Sequence, residues 1–129
     1  MDNIQIVKHA LSDLLTSDLD VNKLIANYFS TDYQQTVDGK TLGFSEFAAH
    51  MQLLRSVVKQ FAVTIDAISQ SGDQVHTHHF VKVTKTDNSV SEFEVFALFK
   101  IVNHKIVSCN ELTRQLHGNS DDKDLGSRH

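Results

Sequence analysis

Residues 75–101 read VHTHHFVKVTKTDNSVSEFEVFALFKI, and polarity along them alternates with a period of two. Val75, Thr77, His79, Val81 and Val83 share one phase; Phe93, Val95, Ala97, Phe99 and Ile101 share another. Successive side chains of a strand point to opposite faces, so each set lines one face of a sheet. Thr86-Asp87-Asn88-Ser89 between them is a cluster of turn formers, and the two strands are expected to pair antiparallel. The period extends in both directions. Upstream, Phe61, Val63, Ile65 and Ala67 alternate with more polar neighbours up to the turn signal Ser71-Gly72-Asp73. Downstream, Asn103-His104 is a two-residue turn into a last strand over residues 105–114.

Before residue 60 the period is helical. Ile4, Val7, Leu11, Leu14 and Leu15 predict a helix over 3–16. Val21, Leu24, Ile25 and Tyr28 mark a second short helix, capped by Asp18 or Asp20 and packed beside the first by the short connection. A short strand over 33–37, the turn pair Asp38-Gly39 and residues 40–42 form a small hairpin. Ser45 and Glu46 then open a third helix, with Phe47, Met51, Leu54 and Val58 at helical spacing. Helices first and a meander afterwards imply an α+β fold, its helices packed on one face of a curved sheet.

The chain has 129 residues, the usual size of one domain, placed here at 1–116 with a polar tail over 117–129. The net charge of -4 supplies no positive field for nucleic acid or anionic membrane, and neither is an expected partner. No apolar run approaches the roughly 20 residues that cross a bilayer. The amino terminus lacks a basic region followed by an apolar run, and Cys109 is the single cysteine; a reducing, cytoplasmic location is expected.

Tyr28-Phe29-Ser30, Asp32-Tyr33, Val37-Asp38-Gly39-Lys40, a helix over 44–58, Gly72-Asp73-Gln74-Val75 and Lys105-Ile106-Val107 follow one another in an order that resembles the nuclear transport factor 2-like superfamily. Within it the chain looks most like the SnoaL-like branch of small bacterial proteins. Glu111-Leu112-Thr113-Arg114 and Asp124-Leu125-Gly126-Ser127-Arg128 are similar to a recurrent ending in that branch. The resemblance implies a cystatin-like cone, in which a curved antiparallel sheet wraps around three N-terminal helices. It also implies an apolar pocket for a small hydrophobic molecule and, often, a homodimer through the sheet. It does not imply one chemistry, because cyclases, isomerases, dehydratases and pure binding proteins share the fold.

In the last strand, Val107, Cys109, Glu111 and Thr113 alternate against Ile106, Ser108, Asn110 and Leu112, and periodicity leaves open which set faces inward. The resemblance assigns to Glu111 the acid/base carboxylate of the closing strand. Desolvation in an apolar cone would favour its neutral form, which suits a group that takes and returns a proton near neutral pH. His79, in phase with the core, is the second candidate catalytic residue. His76 and His78 share the opposite face without an evident third ligand, so no metal and no cofactor is expected.

Candidate ligand-binding residues are Tyr33 and Gln35 near the small hairpin and His50, Met51 and Leu54 on the third helix. Ala97 and Cys109 on the sheet complete the set, Cys109 as an inert thiol. Asp38 reads as a turn residue. Phe80, Phe96 and Leu98 lie off phase and are expected to mark a self-contact. The expected function is binding of a hydrophobic carbonyl compound, on which a cofactor-independent lyase or isomerase acts by proton transfer. Glu111 would remove the proton and His79 or Tyr33 would steady the enolate. The alternative is a non-catalytic binding or dimeric interaction module.

Overall fold

The computed structural model describes residues 1–16 and 20–119. The alternative cap Asp18, the tail beyond residue 119 and its ending over 124–128 lie outside the described residues. Helix α1 (Asn3–Thr16) is followed by α2 (Val21–Tyr28), where the Asp20 carboxylate accepts from the Asn22 amide at 3.0 Å. The Tyr28 hydroxyl donates to the Asp13 carboxylate and ties the two helices together; this bond is the main reason the phenol is pushed up to about 12. No helix among the described residues is long and apolar enough to cross a membrane.

Strand β1 (Phe29–Val37) begins directly after α2, earlier than the expected 33–37. It turns through Asp38 (φ 51°) and Gly39 (φ 86°) into β2 (Lys40–Leu42). Helix α3 (Phe44–Val57) leads into a meander of β3 (Val58–Ser71), β4 (Gln74–Lys85), β5 (Val90–Val102) and β6 (Lys105–His117). Asn103 and His104 both have positive φ, 51° and 64°, the backbone of the twisted two-residue hairpin the sequence calls for at that point.

The sheet has six strands in the order β2-β1-β6-β5-β4-β3. It is mixed, which corrects the expectation of an antiparallel sheet: β6 pairs parallel with β1, Val37 opposite Glu111, and every other pair is antiparallel. Because α3 and the meander separate β1 from β6, the chain returns to the edge of β1 running in the same direction. Alternation within a strand carries no record of that neighbour.

Of the four register shifts in the meander, two bear on the faces of the core and the site. Asp66 is the extra residue between the pairs Ile65–His79 and Ala67–His78, so Ala67 turns outward and Ile68 packs on the core. Val107 is the extra residue between Ile101–Ile106 and Lys100–Ser108. Ile106, which strict alternation sets opposite Cys109, is therefore buried on the same face as Cys109. Beyond the bulge, Cys109, Glu111 and Thr113 share the inner face. The phase of β4 runs without interruption: His79 is buried and His76 exposed.

The core lies between the helices and the inner face of the sheet. Its aromatic centre is Phe29, Tyr33 and Phe47, whose ring centroids lie 4.7 to 5.0 Å apart and join β1 to α3. Ring pairs at this spacing add about 0.5–1.5 kcal/mol each beyond burial.

Candidate functional site

A cavity of about 140 Å³ remains between α1, α3 and the sheet. Leu11, Leu14 and Leu15 of α1 close one side, and Phe61, Phe93 and Phe99 form much of the sheet wall. Eight of the nine candidate site residues line it: Glu111, His79, Tyr33, Gln35, His50, Met51, Leu54 and Cys109. Ala97 does not. It is buried on the correct face, between Thr77 and Glu111 in the register, but a methyl group is too short to reach the cavity past those neighbours.

Glu111 is held from the β1–β2 turn. The Asp38 amide donates to the Glu111 carbonyl at 2.9 Å, and the Asp38 carboxylate accepts from the Thr113 amide at 2.8 Å. Asp38 is thus more than a turn former, because it ties down the strand from the carbonyl of the candidate base to the amide of Thr113. The Cys109 thiol donates to Glu111 Oε2 at 3.8 Å. Burial pushes the Glu111 carboxyl up to about 7, with the Asp38 charge adding to the rise and the Cys109 contact opposing it. Burial, then the neighbouring Glu111 charge, pushes the Cys109 thiol well above its ordinary range. The thiol stays protonated and is no nucleophile.

Tyr33 is fully buried and donates to Gln35 Oε1 at 2.8 Å, and burial raises its pKa well above the usual phenol value. Its proton is therefore engaged. Tyr33 orients Gln35, so its phenol is committed within the wall of the cavity. The His79 ring is 2 % exposed, and its Nδ1 lies 2.9 Å from Thr77 Oγ1. Burial, followed by the proximity of His78, lowers its pKa to about 4, so the ring is neutral at pH 7. An uncharged ring of this kind can give or accept a hydrogen bond in the cavity.

His76 and His78 lie away from the cavity. His78 Nε2 is 2.8 Å from Glu94 Oε2, and its ring stacks on Phe96 with centroids 4.3 Å apart. Among the described residues no three His, Cys, Asp or Glu side chains gather where a metal could sit.

Sequence reasoning passed over two hydroxyls. Thr77 fixes the His79 ring, and Thr113 presents a buried Oγ1 to the cavity wall. Each stands two residues from a candidate catalytic residue and in its phase. That is the only signal available, and it is weak because threonine is ordinary in strands.

No family model matches the chain. An uncharacterized protein of Schizosaccharomyces pombe is 27% identical over 103 residues, which cover 80% of this chain and 79% of that protein. Among solved structures, an LEH-like epoxide hydrolase of M. tuberculosis superposes with a TM-score of 0.74 at 18% identity, over 87% of this chain and 82% of that one. A candidate SnoaL-like polyketide cyclase from Jannaschia sp. CCS1 gives 0.72 at 10% identity, over 86% and 84%. The chain has the nuclear transport factor 2-like fold. At these identities the likeness to solved structures is one of fold. The fission-yeast relative places a similar chain outside the bacteria to which the SnoaL-like resemblance pointed.

Proposed function

We propose that this nuclear transport factor 2-like protein binds a small hydrophobic carbonyl compound in its cavity and shifts a proton on it without a cofactor, as a lyase or isomerase. The observation that carries this reading is Glu111: a carboxyl group in an apolar cavity, raised to about 7, is present in both forms near neutral pH. Its carboxylate takes the proton from the carbon beside the carbonyl. The electrons of that C–H bond move into the new C–C double bond, and the carbonyl oxygen becomes an enolate oxygen, to which neutral His79 supplies a hydrogen bond. Glu111 then returns the proton. The test is deuterium uptake from D₂O at the α-carbons of cyclohexanone, expected to run faster with the protein than in buffer.

Uptake no faster than in buffer would leave the second reading, a binding module without catalysis. One observation favours it. With His79 lowered to about 4 and the phenol of Tyr33 raised, two of the titratable groups in the cavity stay uncharged at neutral pH.

The outer face of the sheet supports a homodimer. Phe96 is 53% exposed and Leu112 is 66% exposed, and the two are direct cross-strand neighbours. Arg114 and Glu94, paired at 2.7 Å, stand beside them and offer both signs of charge to a second copy. Light scattering at tens of micromolar is expected to give twice the 14.5 kDa chain mass, and Phe96→Asp is expected to give one. A monomeric wild type at that concentration would rule the dimer out. The lone buried thiol of Cys109 suits a cytoplasmic location.

A further inference from the structure

Gln35 lies on the inner face of β1 between two other buried residues, Tyr33 and Val37, and lines the cavity at 8% exposure. The Tyr33 hydroxyl donates to its Oε1 at 2.8 Å, so both amide protons sit on the other arm of the group, on Nε2. The reverse orientation of the amide would turn Nε2 to the phenol and leave the phenol proton the Cys109 sulfur, a weak acceptor. The Tyr33 ring is itself packed on two sides, by Phe29 and by Phe47, with centroids 4.7 Å away in each case. The amide is therefore aimed from a fixed wall.

Nε2 makes no hydrogen bond among the described residues. Nor is it sealed away, because among those residues Thr113 Oγ1 is the one polar side-chain atom that is both fully buried and unpartnered. An open donor on a buried, cavity-lining side chain is satisfied by an oxygen that occupies the cavity. The parallel register sets Gln35 opposite Cys109 and Val37 opposite Glu111, so the amide stands on the strand next to that of the candidate base. His79, on β4, is separated from that strand by β5. The lining holds no Lys or Arg, so an enolate oxygen formed beside Glu111 depends on neutral donors.

We propose that Gln35 Nε2 donates a hydrogen bond to the carbonyl oxygen of the ligand and to the enolate oxygen it becomes, adding to the bond from His79. This rests on the proton-transfer reading and assigns it a further catalytic residue. The bond strengthens as negative charge develops on the oxygen, so it lowers the barrier more than it raises affinity. Gln35 forms no covalent bond and keeps both amide protons throughout. Tyr33 is a positioning residue, acting through the amide it holds.

The test reads the bond and the reaction separately, in the full chain with cyclohexanone carrying ¹³C at its carbonyl. Difference infrared spectra give the carbonyl stretch of the bound ketone, which a hydrogen bond lowers, and deuterium uptake gives the rate. Gln35→Met keeps the length of the side chain and removes the donor. It is expected to raise the stretch and to slow uptake by about 10²-fold, while cyclohexanone affinity changes by no more than about fivefold. Because this change also strips the Tyr33 hydroxyl of its acceptor, Tyr33→Phe with Gln35→Met is compared with Tyr33→Phe alone, which keeps the amide; the same contrast is expected if the single variant does not fold. An unchanged stretch in the methionine variant would overturn the bond, whether or not uptake slows, and would leave proton transfer by Glu111 standing. A stretch that rises while wild-type uptake is no faster than in buffer would support Gln35 as the anchor of the carbonyl and overturn its part in catalysis. Failure of wild type to bind cyclohexanone would overturn both readings.

Discussion

Glu111→Gln is expected to abolish deuterium uptake into cyclohexanone, slowing it by about 10²–10⁴, the range that a positioned acid/base group contributes. The amide matches the carboxylate in shape and cannot accept the proton. What holds residue 111 survives the change, since the hydrogen bond from Asp38 goes to its main-chain carbonyl and the partner of the Asp38 carboxylate is the amide of Thr113. Ligand affinity should therefore stay within about tenfold, or ~1.4 kcal/mol. Glu111→Ala is a poorer variant because it enlarges the cavity as well as removing the base. Retained exchange in the glutamine variant would remove Glu111 from the mechanism.

The same substitution should change stability in a pH-dependent way. Glu111 titrates at about 7 when folded against an ordinary value of 4.5, so between those limits the folded state holds a proton that the unfolded state has lost. Stability from this group therefore falls as pH rises through that window. Glutamine removes the penalty. The stability of Glu111→Gln relative to wild type should climb by about 3 kcal/mol from pH 4.5 to above pH 7, measured by urea unfolding at each pH. His79 runs the opposite way. Its folded value of about 4 lies below 6.5, so wild type loses stability as pH falls from 6.5 through 4, when the buried ring must charge. His79→Gln should gain on wild type by about 3 kcal/mol over that fall. In wild type the two slopes oppose each other between pH 4.5 and 6.5. A gap between Glu111→Gln and wild type that does not change with pH would contradict the burial of this carboxyl.

How much of this was legible in the sequence follows from what alternation encodes. The inward set from Phe93 to Ile101, the buried His79 and the turn at Asn103-His104 all follow from period and turn chemistry. Both are local properties, and the structure keeps them. The partner of β6 is not local. Nothing in residues 29–37 or 105–117 records that the two strands run parallel, so the sheet was misread as antiparallel. The bulges at Asp66 and Val107 leave no composition signal either: the first turns Ala67 away from the face of Phe61, Val63 and Ile65, and the second lets Ile106 share a face with Cys109.

The site divides along the same line. Phase placed Glu111 beside Cys109 and His79 among the inward valines, although choosing the inner face of the last strand took the family resemblance. Phase alone could not show that the Tyr33 proton is taken by Gln35, that Ala97 stops short of the cavity, or that Asp38 grips the strand around Glu111. Those depend on side-chain reach and on contacts 75 residues apart in the chain.

The proton-transfer reading stands on one titration. In protein labelled with ¹³C at the glutamate carboxyl carbons, the Glu111 resonance, identified by its loss in Glu111→Gln, can be followed from pH 4 to pH 9. A midpoint near 7 is expected from burial among apolar walls with the Asp38 charge close by. A midpoint near 4.5 would mean that the carboxylate is solvated and permanently ionised, and would contradict its role as the group that takes and returns a proton in this cavity.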